Sequence, residues 1–350
     1  MDTVVADREQ FSSRSTKYEI EADWTLTKAC NYTCKYCFYP TCKRKPPVGR
    51  ISPEEHLEFF NSTGRTWLFH LTGGEPFLYR DFVRFCQVLT SQHYICINSN
   101  LSSKRVRVFA SEVDASRVEY IHCGVHVEER DSRKGWQDLE ANVTSLLKHG
   151  FPVFASLVMT PSAFADFQRV EDMFAGLGVS LIPKAIRGAY NNRWYPQAYT
   201  KSERDKFRRL SEQAEVTAKT RIWNLEDMRP TVNPLLDRQH LDGIPNFTGV
   251  QCSAGSQFVS IDCEGIIRRC GYMTVLGNIP ERRLELLSTD RPCNDWYCPY
   301  PCLRYSRFEK EATNLRRYGT PIKFKPPFVM IRAAVKKVLN RLNRFSKPER

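Results

Sequence analysis

Three cysteines near the start of the chain have a spacing that suits metal chemistry. Cys30, Cys34 and Cys37 form a C-x3-C-x2-C motif. Three thiolates on one tight loop can bind three irons of a [4Fe–4S] cluster. One iron of a four-iron cube then has no protein ligand and is open to a small molecule. Two alternatives are zinc, with Cys42 as the fourth ligand, and a ferredoxin-like electron-transfer loop.

A second group of cysteines lies near the end of the chain: Cys252, Cys263, Cys270, Cys293, Cys298 and Cys302. Four thiolates from this group would satisfy an iron–sulfur cluster or a structural zinc. The chain has 13 cysteines, and residues 1–10 carry no apolar signal segment, which predicts a cytoplasmic location and thiols without disulfides. Three further cysteines lie in apolar stretches and are expected to be buried: Cys86, Cys96 and Cys123.

Strand and helix patterns alternate from about residue 20 to 215. The predicted strands are Asp23–Thr27, Thr66–Leu71, Tyr94–Asn98, Val118–Val127, Val153–Val158 and Ser180–Ala185. The predicted helices are Pro53–Asn61, Asp81–Thr90, Arg105–Ser111, Trp136–His149, Ala165–Ala175 and Glu203–Gln213. Six such units predict an α/β fold with a parallel sheet, either a partial barrel or an open sheet.

Polar motifs follow the first three predicted strands. The cysteine loop follows the first strand, Gly73-Gly74-Glu75 follows the second, and Asn98-Ser99-Asn100 follows the third. Chemistry in parallel α/β folds gathers at the carboxyl ends of the strands. The three motifs are therefore expected to converge on one rim.

Together these motifs resemble the radical SAM superfamily. The matching features are the cysteine loop, with Tyr36 as the aromatic residue before Cys37, and the segment Gly73-Gly74-Glu75-Pro76. The resemblance implies a partial (β/α)6 TIM-like barrel with a [4Fe–4S] cluster bound by Cys30, Cys34 and Cys37. It also implies that the open iron binds S-adenosylmethionine (SAM). Reductive cleavage of SAM would give a 5′-deoxyadenosyl radical that abstracts hydrogen from a substrate carbon.

The same resemblance assigns residues to SAM. Tyr36 is expected near the adenine. Gly73 and Gly74 would let the backbone approach the methionine amino group, with Glu75 as the charged partner there. Three residues match the region that reaches the ribose: Asn98, Ser99 and Asn100.

The second cysteine group resembles the C-x(9–15)-G-x4-C signature of SPASM and twitch domains, through Cys252, Gly265 and Cys270. It implies a small twitch-like C-terminal domain with one auxiliary [4Fe–4S] cluster. The preferred ligands are Cys252, Cys270, Cys298 and Cys302, and Cys293 is the main rival. Cys263 falls in the turn of a predicted hairpin, Gln257–Asp262 with Ile266–Arg269. The predicted organisation is an extension (1–20), the barrel (21–217), a connector (218–249), the auxiliary-cluster domain (250–305) and a basic tail (306–350).

Side chains near the ends of later strands are catalytic candidates: His126, Glu128, Lys184 and Arg187. Many SPASM-type relatives place Ser and Asp near this point, whereas this chain has Gly124 and His126. A loop after the sixth strand adds aromatic and amide side chains: Tyr190, Asn191, Asn192, Trp194, Tyr195 and Tyr199. Such a loop suits a sugar or another polar substrate, or it packs over the barrel mouth.

Two substrate classes are open. The preferred one is a sugar, aminocyclitol or glycan precursor that is oxidised or epimerised, because an extension of about 20 residues is too short for a leader-peptide recognition domain. The alternative is a ribosomally made peptide that is oxidised or crosslinked. A third possibility is that the chain is an iron–sulfur or zinc protein without enzymatic activity. A flavodoxin or ferredoxin is the expected reductant.

The charge is concentrated at the end of the chain. The formal net charge is +13, and residues 321–350 hold nine basic residues and one acid, Glu349. One helical stripe of the tail is apolar: Phe328, Ile331, Val335, Val338, Leu342 and Phe345. A basic amphipathic helix predicts peripheral contact with the inner face of a membrane or docking on the barrel, with RNA as a third partner. The milder charge elsewhere argues against nucleic acid as the main partner. No apolar run reaches the ~18–20 residues of a membrane span.

Overall fold

The computed structural model describes residues 17–37, 51–221, 237–238, 240–241, 247–271, 274–294 and 298. Three predicted features lie outside these ranges: the zinc ligand Cys42, the cluster ligand Cys302 and the basic helix over 328–345. Within the described ranges, no helix is long and apolar enough to cross a membrane.

Six parallel strands form the centre of the fold and follow one another in the sheet as they do in the chain. They are β1 (Ile20–Thr27), β2 (Trp67–Gly73), β3 (Tyr94–Ser99), β4 (Val118–Gly124), β5 (Val153–Val158) and β6 (Leu181–Lys184). The helices between and after them are α1 (Pro53–Asn61), α2 (Phe82–Thr90), α3 (Arg105–Glu112), α4 (Val127–Arg133), α5 (Trp136–Lys148), α6 (Ala163–Gly176) and α7 (Lys201–Arg221). The predicted partial (β/α)6 TIM-like barrel is confirmed.

Helix α1 begins at the predicted residue because its first turn carries strong local signals. Ser52 accepts a hydrogen bond from the Glu55 amide through its hydroxyl (3.1 Å). The Ser52 amide donates to Glu55 Oε2 (2.7 Å), which completes a capping box, and Pro53 occupies the first helical position.

Strand β4 is shorter than predicted, and the expected extension to Val127 is wrong. The strand ends at Gly124, and His126 has a positive φ of 52° that breaks the extended backbone. Helix α4, which was not predicted, begins at Val127 with Glu128 and Glu129 in its first turn. Acidic residues at this position favour a helix start through the helix dipole.

The two faces of the sheet have different characters. On the outer face, Trp24 packs edge-on against Phe60 of α1 and Phe85 of α2. We call the opposite face the inner face. Its lower part is a buried cluster that includes Leu68, Tyr120, Phe154 and Ile182. Because side chains alternate along a strand, residues two positions further on share this face: His70, His122, Ser156 and Lys184. The inner face therefore becomes polar toward the carboxyl ends of the strands.

The C-terminal strands extend the same sheet. Strand β10 (Phe258–Ile261) pairs in parallel with β1, and Glu21 lies opposite Phe258. Three antiparallel strands follow outward: β11 (Ile266–Arg268), β12 (Val275–Asn278) and β13 (Arg283–Leu284). Two small sheets complete the strands: β7 (Gly188–Tyr190) with β8 (Arg193–Tyr195), and β9 (Gln251–Cys252) with β14 (Arg291–Pro292). The predicted hairpin is confirmed, and it adds directly to the barrel edge.

The three cysteines predicted to be buried are buried. Cys86 and Cys123 are fully covered and belong to the main core. Cys96 faces the inner side, where its Sγ lies 2.8 Å from Nδ1 of His70. His70 Nε2 lies 2.8 Å from Oε2 of Glu21 on the neighbouring strand. The floor of the barrel therefore contains a buried polar network that the apolar interpretation of Cys96 did not foresee.

Candidate active site and cysteine clusters

The first cysteine loop lies at the carboxyl end of β1. Cys30 and Cys34 are half-buried, and Cys37 is exposed. Burial raises the pKa of the Cys30 thiol to about 11 and that of Cys34 to about 12. Both thiols are also influenced by the charge of Cys37, so all three lie in one electrostatic neighbourhood. A positively charged metal group at the loop would relieve this penalty because metal ligation requires thiolates.

The spacer residues between Cys30 and Cys34 fix the loop to its surroundings. Asn31 donates through Nδ2 to Ser102 Oγ (2.7 Å) and accepts from Asn100 Nδ2 at its Oδ1 (3.0 Å). Thr33 donates to Oε1 of Glu129 with both its amide and its hydroxyl (2.9 Å each). The loop is therefore held by the end of β3 and by α4. No local pattern in the sequence indicates these anchors.

The two glycines at the end of β2, Gly73 and Gly74, bring two backbones into direct contact. The Gly74 amide donates to the Thr27 carbonyl (2.7 Å), and the Glu75 amide donates to the Ala29 carbonyl (2.8 Å). A Cβ on Gly73, whose φ is +138°, would lie 2.2 Å from the Thr27 oxygen, and one on Gly74 would lie 2.1 Å from the Ala29 oxygen. The close approach to the cysteine loop therefore requires both glycines. This is a reason apart from the expected contact with SAM.

Glu75 faces the protein interior. Its carboxylate is fully buried and accepts hydrogen bonds from the Phe77 amide (3.0 Å), the Ser99 hydroxyl (2.7 Å) and the Asn100 amide (2.8 Å). Burial raises the pKa of Glu75, and these donors oppose the rise. The structure thus uses Glu75 to join the ends of β2 and β3. Of the predicted ribose residues, Asn98 is half-buried beside Thr72, with its Nδ2 3.4 Å from Thr72 Oγ1.

His126 lies against the cysteine loop. Its Nδ1 is 2.8 Å from the Tyr36 hydroxyl and 3.4 Å from Cys34 Sγ. A Cβ on Gly124 would lie 2.5 Å from His126 Nε2, so glycine at this position leaves room for the imidazole. Burial lowers the pKa of His126 to about 3, which keeps the ring neutral. Gly124 and His126 therefore fit together sterically at the end of β4.

Arg130 is a buried residue that the sequence analysis missed. Its guanidinium donates to the carbonyls of Val125, Asn100, Gly124 and Gly135. These carbonyls belong to the ends of β3 and β4 and to the loop before α5. Arg130 therefore fixes the rim that carries Asn100 and His126.

Glu128 joins three elements above the barrel mouth. Its Oε1 accepts from the Tyr190 hydroxyl of β7 (2.8 Å) and from Ser162 Oγ (3.5 Å). The expected rim loop is a hairpin, and Asn191 and Asn192 form its exposed turn with φ values of 47° and 59°. Tyr190 is buried and packs against Tyr195, which in turn packs against Tyr199. The two asparagines therefore form the turn of the hairpin, and the tyrosines pack against one another.

Arg187 and Lys184 differ in their partners. Arg187 donates through Nε to Asp237 Oδ1 (3.0 Å), and its Nη2 contacts the same oxygen. Asp237 is fully buried. Lys184, at the end of β6, lies half-buried on the inner face. Arg187 therefore anchors the segment at Asp237 to the rim.

The second cysteine group assembles around β9 and β14. Burial raises the pKa of Cys252 to about 11 and that of Cys270 to about 12, and the charges of Cys293 and Cys298 add to both shifts. Cys293 belongs to this neighbourhood, although it ranked below Cys302 in the prediction. Cys263 lies apart from this group. Burial raises its pKa, and the charge of Lys28 opposes that rise.

Arg269 holds the loops around the second cysteine group. Its buried guanidinium donates to the carbonyls of Ala254 (3.0 Å), Pro292 (3.2 Å) and Arg291 (2.6 Å). The same side chain lies next to Cys270 in sequence. It therefore sets the spacing of the chain segments that carry Cys252, Cys270 and Cys293.

Within the described ranges, neither cysteine group surrounds a single metal position. Among the residues that the structure describes, no three His, Cys, Asp or Glu side chains converge closely enough to hold one metal ion. A tetrahedral zinc needs all its thiolates at about 2.3 Å from one centre. Ligands to separate irons of a cube need not meet at one centre, so the arrangement of the described thiols is compatible with a cluster.

Comparison with known proteins places this site in a family context. Residues 24–173 match the family model described as the radical SAM superfamily. Mycofactocin maturase MftC of Mycobacterium tuberculosis is 25% identical over 185 residues, which are 49% of this chain and 46% of MftC. The match thus spans about half the length of this curated relative.

Solved structures share the fold at low sequence identity. Tagged anSMEcpe with bound AdoMet superposes with a TM-score of 0.52 at 15% identity, over 75% of both chains. Native anSMEcpe with bound AdoMet and Kp18Cys peptide gives 0.51 at 14% identity, over 85% of this chain and 98% of that chain. Streptococcus suis SuiB bound to S-adenosylmethionine gives 0.50 at 15% identity, over 75% and 64%.

Proposed function

Residues 24–173 match the radical SAM superfamily, and from this premise we propose that the chain is a radical SAM enzyme that removes hydrogen from a carbon atom of a peptide substrate. Radical SAM enzymes use a [4Fe–4S] cluster and SAM, which supply a 5′-deoxyadenosyl radical when bound. The task of the protein is then to hold both groups, orient the substrate and keep out water.

The cysteine loop is the observation that carries this proposal. Cys30, Cys34 and Cys37 share one loop at the carboxyl end of β1, where a barrel places its chemistry. Contacts from Gly74, Asn100 and Glu129 fix that loop. Three thiols leave one iron of a four-iron cube for SAM. The donor set therefore fits the group that the family uses.

The rim beside the loop supplies the contacts for SAM. We assign its methionine end to the backbone of Gly73, Gly74 and Glu75. Tyr36 is assigned to the adenine and Asn98 to the ribose. Ser99 and Asn100 support these groups from behind, because both donate to the buried carboxylate of Glu75.

A peptide is the substrate class with the better support. The curated relative is named as a maturase, and one solved neighbour holds a peptide. Besides the short extension, the sugar class was favoured by the aromatics and amides in residues 190–199. Several of these tyrosines are packed together, and the two asparagines form a turn. The oxidation or crosslinking of a peptide is therefore preferred.

The second cysteine group is assigned to an auxiliary cluster. Cys252, Cys270, Cys293 and Cys298 are the proposed ligands, because their charges influence one another. Such a cluster would accept the second electron of an oxidation. Two clusters correspond to about eight irons per chain by their stoichiometry. A measured content of about four irons and one zinc per chain would assign the second cysteine group to zinc and leave the radical chemistry of the first group in place.

The experiment uses the full chain, reconstituted anaerobically with iron and sulfide. SAM, a strong reductant and synthetic peptides encoded by neighbouring genes are added, and peptide masses are followed. We expect one peptide to lose hydrogen in step with the conversion of SAM to methionine and 5′-deoxyadenosine. No peptide should change mass when Cys30, Cys34 and Cys37 are all alanine. A methylated product would indicate a methyltransferase. If deuterium passes from a labelled sugar to 5′-deoxyadenosine while every peptide keeps its mass, the substrate is a sugar and the peptide assignment is wrong.

A further inference from the structure

Lys184 occupies a position from which it can contact a bound substrate. It is the last residue of β6 and shares the inner face with Ile182, two residues earlier. In the sheet register it lies opposite Val158, the last residue of β5. Groups at the carboxyl ends of barrel strands line the mouth where substrates bind.

The ammonium group of Lys184 has no hydrogen bond or ion pair with any residue that the structure describes. Arg187 binds one oxygen of the nearby Asp237 carboxylate, since its Nε and Nη2 both contact Oδ1, while Oδ2 makes no hydrogen bond within the described residues. Two cations thus face one anion at this part of the rim. One positive charge is left in excess.

The other groups near Lys184 are neutral or already bonded. His122 Nε2 lies 2.7 Å from Ser156 Oγ on the neighbouring strand. Burial, followed by the charge of Lys184, lowers the pKa of His122, and burial and nearby cations do the same for His126. The carboxylate of Glu128 accepts from Tyr190. Asp237, which Lys184 shares with Arg187, is therefore the anion whose charge acts on the ammonium.

We propose that Lys184 binds a carboxylate of the substrate at the barrel mouth. A half-buried ammonium has lost part of its hydration, and an anionic ligand restores the lost interaction through a charge-assisted hydrogen bond. In a peptide, the group is the terminal carboxylate or an acidic side chain. The inference rests on the proposed peptide substrate for this identification only, since the carboxylate site itself follows from Lys184.

The test measures the binding of small carboxylates to the full chain by ligand-observed NMR. N-acetylglycine represents a terminal carboxylate, N-acetylglutamic acid α-amide represents an acidic side chain, and N-acetylglycinamide is the neutral control. We expect Lys184→Met to weaken binding of the preferred carboxylate at least about tenfold and Lys184→Arg to restore most of it. Lys148→Met, an exposed lysine at the end of α5, is the matched control. The carboxylate that binds more tightly shows whether the site takes a terminal carboxylate or an acidic side chain.

Several results would overturn the inference. Equal binding by the wild type and Lys184→Met, or equal binding of the neutral amide, would remove the carboxylate site. Displacement of the carboxylates by a much lower concentration of inorganic phosphate would assign the site to a phosphate group instead. If Lys184 only balances Asp237, Lys184→Met will lower the thermal unfolding midpoint and leave carboxylate binding unchanged. None of these results depends on finding the peptide, so failure here is distinct from failure of the proposed function.

Discussion

Thr33 and Glu129 connect the cysteine loop to helix α4 through two hydrogen bonds to one carboxylate oxygen. Both the amide and the hydroxyl of Thr33 lie 2.9 Å from Glu129 Oε1. Arg133 contacts the second oxygen at 3.0 Å. Burial would raise the pKa of Glu129, but the hydrogen bonds from Arg133 and Thr33 lower it. The carboxylate is thus held in its charged, accepting form.

Glu129→Ala is expected to loosen the cysteine loop. Hydrogen bonds to a charged group are worth about 1.5–3 kcal/mol each, so loss of two should weaken metal retention clearly. The measurement is iron content after dialysis of the reconstituted protein against a chelator. Glu140→Ala on the exposed face of α5 is the control. Equal iron in the two variants would show that the loop does not depend on Thr33 and Glu129.

Gly74→Ala is expected to destabilise the protein by about 3 kcal/mol or more, because the new Cβ would lie 2.1 Å from the Ala29 carbonyl oxygen. The free energy of unfolding is measured on the metal-free chain with urea. Gly176→Ala, in helix α6 with nothing within 4 Å of its Cβ, is the matched control and should be neutral or slightly stabilising. A mild effect at Gly74 would contradict the close contact between β2 and the cysteine loop.

His93 is expected to make the fold sensitive to acid. It is buried, accepts from the Trp67 amide through Nδ1 (3.4 Å), and burial lowers its pKa from 6.5 to about 4. The unfolded chain therefore binds a proton between these values that the folded chain does not. The contribution of neutral His93 to stability is fully present above pH 6.5 and is lost as the pH falls through this window, by up to about 1.4 kcal/mol per pH unit.

The measurement for His93 compares urea unfolding at pH 7 and pH 5. His93→Asn keeps an acceptor near the Nδ1 position but does not titrate, so its stability should fall less on acidification than that of the wild type. His149→Asn, at an exposed helix end, should behave like the wild type. Parallel pH profiles for wild type and His93→Asn would show that His93 does not control acid sensitivity.

Arg269→Ala is expected to disperse the second cysteine group. The guanidinium bonds three carbonyls of the segments that carry Cys252, Cys270 and Cys293. We expect the variant to lose about half of the reconstituted iron while the first cluster still gives its SAM-dependent electron paramagnetic resonance signal. Arg283→Ala, an exposed arginine on β13, is the control. Full iron content in Arg269→Ala would contradict this positioning role.

Local signals in the sequence predicted much of the fold. Ser52, Pro53 and Glu55 mark the start of α1, and β5 was predicted with its observed limits, Val153–Val158. Spacing predicted that the first three cysteines share a loop. These features depend on residues close together in the chain, which propensity and periodicity describe.

Contacts between distant residues could not be predicted in this way. Thr33 and Glu129 are 96 positions apart, and Arg187 and Asp237 are 50 apart. Arg130 looks like a surface arginine of a polar helix, yet it is fully buried beneath four carbonyls. The alternation of Val125 and Val127 concealed the left-handed turn at His126. Such features arise from packing between elements, which the sequence pattern does not encode locally.

Formation of 5′-deoxyadenosine from SAM tests the central claim most directly. The full chain is reconstituted anaerobically and supplied with SAM and a strong reductant, and product is measured for the wild type and two multiple variants. The variant with Cys30, Cys34 and Cys37 changed to alanine should form none. The variant with Cys252 and Cys270 changed should retain uncoupled cleavage, since its first cysteine loop is intact. Equal cleavage by the wild type and the first variant would contradict the assignment of the cysteine loop as the site of SAM chemistry.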